Sequence, residues 1–203
     1  MGATNAQFLV VWGRRRAGRT ELIGRFADGH RSLFFEATNV TRTQQPLDLS
    51  DELARVSGNP LLAQQPLTTW DAALTAIAQF AEHERTVVVL DEYQYLAAQE
   101  PGLGSVINRW WRSTAQKLPI VLVVAGSEVA FFEREVLSGE MYGRRTGQFH
   151  VLPFGYRNAA RFHRGYSPED RIRAYAVCGG MPYYLDRTDP DRFRLVNPRD
   201  VYD

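Results

Sequence analysis

Apolar positions along this chain fall into two kinds of run, short continuous ones and longer ones spaced every three or four residues. Phe8 to Trp12, FLVVW, is a continuous run rich in aromatic and β-branched residues, which predicts a buried strand ending at Gly13. Ser32 to Ala37, SLFFEA, predicts a second, bounded by Gly29 and the polar segment TNVTRTQQ. Thr86 to Leu90, TVVVL, and Pro119 to Ala125, PIVLVVA, are almost purely apolar, the signature of strands buried on both faces of a parallel sheet. Gln148 to Leu152, closed by Pro153, predicts a last strand.

Helical spacing fills the intervals. After Gly13, the stretch Thr20 to Ala27 places Leu22, Ile23 and Phe26 on one side. Asp48 to Val56 predicts a short helix, and Trp70, Leu74, Ile77, Phe80 and Ala81 mark one running to about His83 with Thr69 and Asp71 as caps. Val106, Trp110 and Trp111 mark another over Ser105 to Gln116, with the tryptophan pair in the core. Strands alternating with helices predict an α/β three-layer sandwich around a mostly parallel central sheet. Past Pro153 the sequence becomes helical, aromatic and arginine-rich, which predicts a small helical lid over 154–188 after a core of 7–153, with a polar, turn-rich tail at 189–203.

Composition adds bounds to this picture. A chain of 203 residues has the size of one large domain able to bury about 70% of its unfolded surface. With 44% hydrophobic and 23% charged residues it falls in the ordinary globular class. No apolar run approaches the ~20 residues of a membrane span, no basic leader precedes the first apolar stretch, and Ala6 stands where a myristoylation signal wants Ser or Thr. The expectation is a cytoplasmic protein with no membrane partner. Cys178, the single cysteine, makes no internal disulfide and reads as a small buried apolar residue. A net charge of +1 excludes global attraction to nucleic acid, so any DNA contact must come from local patches.

Three features carry chemistry. Gly13-Arg14-Arg15-Arg16-Ala17-Gly18-Arg19-Thr20 joins the first strand to the first helix with two glycines, a basic residue and a hydroxyl in phosphate-loop spacing. Such a loop turns its N–H groups toward phosphate oxygens at a helix N-terminus; the bland alternative is a glycine turn with no ligand. Gly13, Arg16, Ala17, Gly18, Arg19 and Thr20, with Glu21 in the first helical turn, are the expected nucleotide-binding set, and Thr20 is a candidate Mg²⁺ ligand. Position 19 departs from the motif, since a planar Arg stands where Lys supplies a compact charge. Lys117 is the one lysine among 24 Lys and Arg residues, so an Arg here need not have been selected for function. Next, Asp91-Glu92 ends a buried strand: Asp91 is placed to hold Mg²⁺, and Glu92 to orient and polarise an attacking water. Finally, Ser127 ends the next such strand, fitting either a γ-phosphate contact or a helix N-cap before Val129 to Leu137. Arg144 and Arg145 fit either an arginine finger, from the same or an adjacent subunit, or a solvated pair. The Arg14–Arg16 triplet reads as a charged rim or a weak DNA contact, and the four histidines lack metal-site spacing.

In order, GRRRAGRTELI, VVVLDEYQYL, VVAGSEV, MYGRRTGQFHVLPF and AVCGGMPYYL resemble the archaeal-type ATPases, relatives of the STAND branch of AAA-like P-loop proteins, from about Phe8 to Leu185. The resemblance implies ATP and Mg²⁺ as cofactors, Asp91 on the metal, Glu92 as catalytic carboxylate and Ser127 as polar sensor. It also implies that Gly180-Met181-Pro182 is the lid element whose proline, Pro182, packs near the adenine. Relatives begin with an FxGRExEL-like block and continue into a winged-helix region; this chain starts just before its first strand and stops at Asp203, which reads as a short member, a truncated product or an excised domain. The expected function is an ATP-binding domain with weak or conditional Mg-dependent hydrolysis driving a conformational switch. The alternative is a non-hydrolysing or degenerate scaffold that contacts protein, a second copy or DNA.

Overall fold

The computed structural model describes residues 6–139 and 143–188; the predicted tail 189–203 lies outside the described residues. Five strands, β1 (Gln7–Trp12), β2 (Arg31–Glu36), β3 (Thr86–Asp91), β4 (Ile120–Gly126) and β5 (Gly147–His150), form one sheet in the order β2-β3-β4-β1-β5. Every pairing is parallel, with Gln7 beside Val121, Leu9 beside Gly147, Arg31 beside Thr86 and Thr86 beside Ile120. Helices connect the strands: α1 (Arg19–Ala27), α2 (Gln44–Ser57), α3 (Pro60–Gln64), α4 (Trp70–Phe80), α5 (Tyr93–Gln99), α6 (Leu103–Ser113) and the short α7 (Val129–Phe131).

Continuous apolar runs become the centre of the sheet because water is excluded from both faces there. β3 and β4 are buried along their whole length. Val88, Leu90, Leu122 and Val124 share one core with Phe8, Leu33, Leu74, Ile77 and Ile107, each such side chain contributing about 1.5–3 kcal/mol by leaving water. Trp110 and Trp111 are buried as expected, and the Trp111 ring lies 5.2 Å from that of Phe8.

The elements depart from expectation where partners rather than patterns set their ends. β5 stops at His150 instead of Leu152, because its partner β1 ends at Trp12, opposite His150. α2 begins at Gln44, four residues before Asp48, since Pro46 needs no N–H bond in a first turn and the buried Gln45 amide donates to the Thr38 carbonyl at 2.6 Å. α4 ends at Phe80, where the Ala81 N–H is shared between the Ile77 and Ala78 carbonyls and the next residues are charged. The α1 stripe is narrower than its pattern: Ile23 and Ala27 are buried while Leu22 and Phe26 are exposed. The single helix expected over Val129 to Leu137 is instead α7 followed by a π turn at Phe132–Val136, closed by the Leu137 N–H on the Phe132 carbonyl at 2.8 Å.

By density of contacts the described residues form two compact units, one from 6–13 with those of 20–150, the other from 14–19 with 151–188. In the second unit, α8 (Tyr156–Ala159), α9 (Pro168–Cys178) and α10 (Pro182–Leu185) enclose a small core of Ala159, Cys178 and Leu185. The Ser167 hydroxyl caps α9 by accepting the Asp170 N–H at 3.1 Å, with Pro168 in the first turn. After α9 the chain reverses through Gly180, whose carbonyl accepts the Phe154 N–H at 2.8 Å.

Candidate functional site

In a parallel sheet the carboxyl ends of the strands open onto the loops that bind ligands. β1, β4 and β3 are consecutive in the sheet, so Gly13, Gly126-Ser127 and Asp91-Glu92 stand side by side at that edge. The Gly13 N–H donates to the Gly126 carbonyl at 3.3 Å, tying the start of the glycine loop to the end of β4. One residue into α1, the Thr20 hydroxyl donates to Asp91 Oδ2 at 3.1 Å. Asp91 is buried, and its Oδ1 accepts the Glu92 N–H at 2.8 Å. Two hard oxygen donors on neighbouring elements therefore converge, the donor chemistry that Mg²⁺ selects.

Glu92 sits in the left-handed region, at φ 51° and ψ 41°, where a side chain other than glycine is strained. Its carboxylate Oε2 accepts the Ser127 hydroxyl at 2.8 Å, the Ser127 N–H at 3.3 Å and the Gln94 side-chain amide. Ser127 thus does not cap α7: residue Glu128 holds that position, with no side-chain cap bond. Gln94 was missed in the sequence. The signals available were its place two residues after Glu92, in the first turn of a helix that the apolar pattern did not mark, and its membership of the block VVVLDEYQYL.

Within the second unit, the loop residues Arg16 and Gly18 both have positive φ, 70° and 87°. Only glycine takes the latter without strain, and a Cβ at Gly18 would lie 3.6 Å from the Pro182 ring. Alternating turns of this kind point successive N–H groups to one side. Arg16 is held in its strained conformation by Tyr184, whose hydroxyl accepts its Nη1, and its guanidinium lies 4.6 and 5.0 Å from the Tyr183 and Tyr184 ring centres. Ala17 and Arg19 are buried, whereas Glu21 is exposed and pairs with Arg25 at 2.7 Å.

Arg144 and Arg145 are not brought to this edge. They precede β5, whose first residue, Gly147, pairs with Leu9, and the neighbouring Thr146 N–H bonds the Phe8 carbonyl. That is the amino end of the sheet, about 13 Å of strand from Trp12 at ~3.3 Å per residue. Arg144 Nε donates to Asn108 Oδ1 at 3.1 Å and Arg145 Nη1 to the Leu137 carbonyl at 2.9 Å. Both therefore precede the amino end of β5, whereas Asp91 and Glu92 stand at the carboxyl end of β3.

A family model for ATPase domains found predominantly in Archaea matches residues 1–188. An uncharacterised protein of Methanocaldococcus jannaschii is 22% identical over 189 residues, which are 92% of this chain and 40% of that protein. The chain thus spans well under half the length of that relative. A Walker-type ATPase of Pyrococcus abyssi is similar in fold, with a TM-score of 0.61 at 17% identity over 88% of this chain and 60% of that one. Cdc6p of Pyrobaculum aerophilum gives a TM-score of 0.60 at 16% identity over 90% of this chain and 51% of that one. Among the described residues no helix is long and apolar enough to cross a membrane.

Proposed function

We propose, since the chain belongs to the family of ATPase domains found predominantly in Archaea, that it binds ATP with Mg²⁺ and hydrolyses it slowly, the nucleotide state setting a conformation read by a partner. The observation that carries this reading is the convergence of Thr20, Asp91, Glu92 and Ser127 at the carboxyl edge of the sheet, with Thr20 donating to Asp91 at 3.1 Å. Thr20 and Asp91 would hold the metal, which when bound supplies positive charge to neutralise the phosphate oxygens. Glu92 orients the attacking water and takes its proton, and Ser127 fixes the carboxylate that does so. The loop from Gly13 to Thr20 offers N–H groups and the α1 terminus to the phosphates. Pro182 would pack near the base, and Arg19 replaces a point charge with a guanidinium fork.

Calorimetry with Mg·ATP and Mg·ADP on this protein beside Arg19→Lys, with phosphate release followed in the same samples, tests the reading. Binding by both forms with faster release in the Lys form is expected. No binding of Mg·ATP at millimolar nucleotide would sink it. Nucleotide binding without hydrolysis is a second reading, favoured by Arg19 itself; phosphate release that disappears in Glu92→Gln counts against it.

A further inference from the structure

Gln94 stands two residues after Glu92 in the block VVVLDEYQYL, and its side chain lies within the site. It is buried at 6% exposure, and its side-chain Nε2 donates to Glu92 Oε2 and lies 3.4 Å from the Ser127 hydroxyl. Its Oε1 is buried with no hydrogen-bond partner among the described residues. That oxygen rests against Gly126: a Cβ there would stand 2.2 Å from Oε1 and 2.4 Å from the Phe132 ring. The amide is therefore wedged between the backbone of β4 and the carboxylate, in a space that exists only because position 126 has no side chain. Leaving a buried carbonyl oxygen unpaired is unfavourable, so some other interaction must hold the amide in this orientation. The bond of its N–H to an ionised carboxylate is such an interaction, being stronger than one between neutral groups.

The same wedge joins the two halves of the edge. Gly126 accepts the Gly13 N–H at the start of the glycine loop, Gln94 packs on Gly126, and Gln94 holds Glu92. Glu92, strained at positive φ, is thus held through its carboxylate by Gln94 together with Ser127. We propose that Gln94 is a positioning residue: its carboxamide, braced on Gly126, fixes the Glu92 carboxylate jointly with Ser127 and couples it to the start of the loop. Its catalytic consequence rests on the reading of Glu92 as the carboxylate that orients water; the restraint itself does not.

Two measurements separate these. In the ligand-free full chain, the side-chain amide of Gln94 is followed by ¹H–¹⁵N NMR. One of its protons is expected downfield and slow to exchange, and Glu92→Gln is expected to return it to the ordinary amide position. An ordinary, fast-exchanging Gln94 amide in the unsubstituted protein overturns the restraint whether or not the chain binds nucleotide. The second measurement is steady-state phosphate release by Gln94→Leu, which keeps the bulk and removes the donor, made in both the natural and Arg19→Lys chains. A fall in kcat of about 100-fold with KM within twofold is expected, the loss typical of a misplaced reacting group. Equal kcat in Gln94→Leu and its parent overturns the positioning role. A shifted Gln94 amide with no phosphate release by any form overturns the hydrolytic reading of Glu92 and with it the catalytic part of this proposal, leaving the restraint itself confirmed.

Discussion

Arg19 is buried at the start of α1, where a guanidinium fork occupies the space and charge position of an ammonium. Arg19→Lys is therefore expected to raise phosphate release by about tenfold or more, because a point charge follows the transferring phosphoryl group where a rigid fork does not. Glu92→Gln keeps the shape and the Ser127 contacts but removes the base, so release falls by about 100-fold or more while Mg·ATP binding by calorimetry persists. In the second unit, His163 is buried and stacked at 4.6 Å on Tyr166, with its Nε2 unpartnered among the described residues. Burial first, then the positive charge of Arg171, holds its pKa below the usual 6.5. The unfolded chain then binds a proton that the folded one refuses. His163 thus costs nothing above the unfolded pKa, and stability falls as pH drops through about 6.5 toward the lower folded value. His163→Phe is expected to flatten that slope in chemical denaturation curves collected between pH 7.5 and 5; an unchanged slope would refute the assignment.

Elements were legible where one kind of burial dominated. β3 and β4 showed in the sequence because a strand covered on both faces needs apolar residues throughout, and Asp91 breaking such a run was conspicuous for the same reason. α5 was not marked, because its seven residues are too few to display a helical stripe. The role of Gln94 depends on Gly126 and Ser127, more than thirty residues away, and no local pattern reports contacts of that separation. Arg144 and Arg145 could not be placed from the sequence because two adjacent arginines look alike at either end of a strand; the pairing of Gly147 with Leu9 reveals which end they occupy. The turn after α9 gives the sharpest test at this scale. Gly180 has φ 73°, and a Cβ on it would stand 1.9 Å from the Phe154 carbonyl oxygen. Gly180→Ala must therefore displace backbone as well as adopt a left-handed conformation, and is expected to destabilise the second unit by about 2–4 kcal/mol. A thermal melt of Gly180→Ala matching the parent would remove the turn from the list of features that hold α9 and α10.

At the scale of the whole molecule, a ligand that binds only the folded chain must raise its unfolding temperature by mass action. At 100 times its dissociation constant the gain is about 2.7 kcal/mol, and a chain of this length moves by about 2–4 °C for each kcal/mol. Mg·ATP should therefore raise the melting midpoint by roughly 5–11 °C. Contacts divide the chain into two units, so melting need not be a single transition, and the shift must be followed for each one resolved. The metal contribution separates cleanly from that of the loop. Thr20→Ala removes the hydroxyl that donates to Asp91 while leaving the N–H groups of the loop in place, so its midpoint with ATP is expected to respond alike to Mg²⁺ and to a chelator. The parent chain should lose part of its shift when the chelator is added. If instead parent and Thr20→Ala both shift fully with ATP in the chelator, the nucleotide is held without help from Thr20 and Asp91, and those two residues serve the edge of the sheet by their mutual hydrogen bond alone.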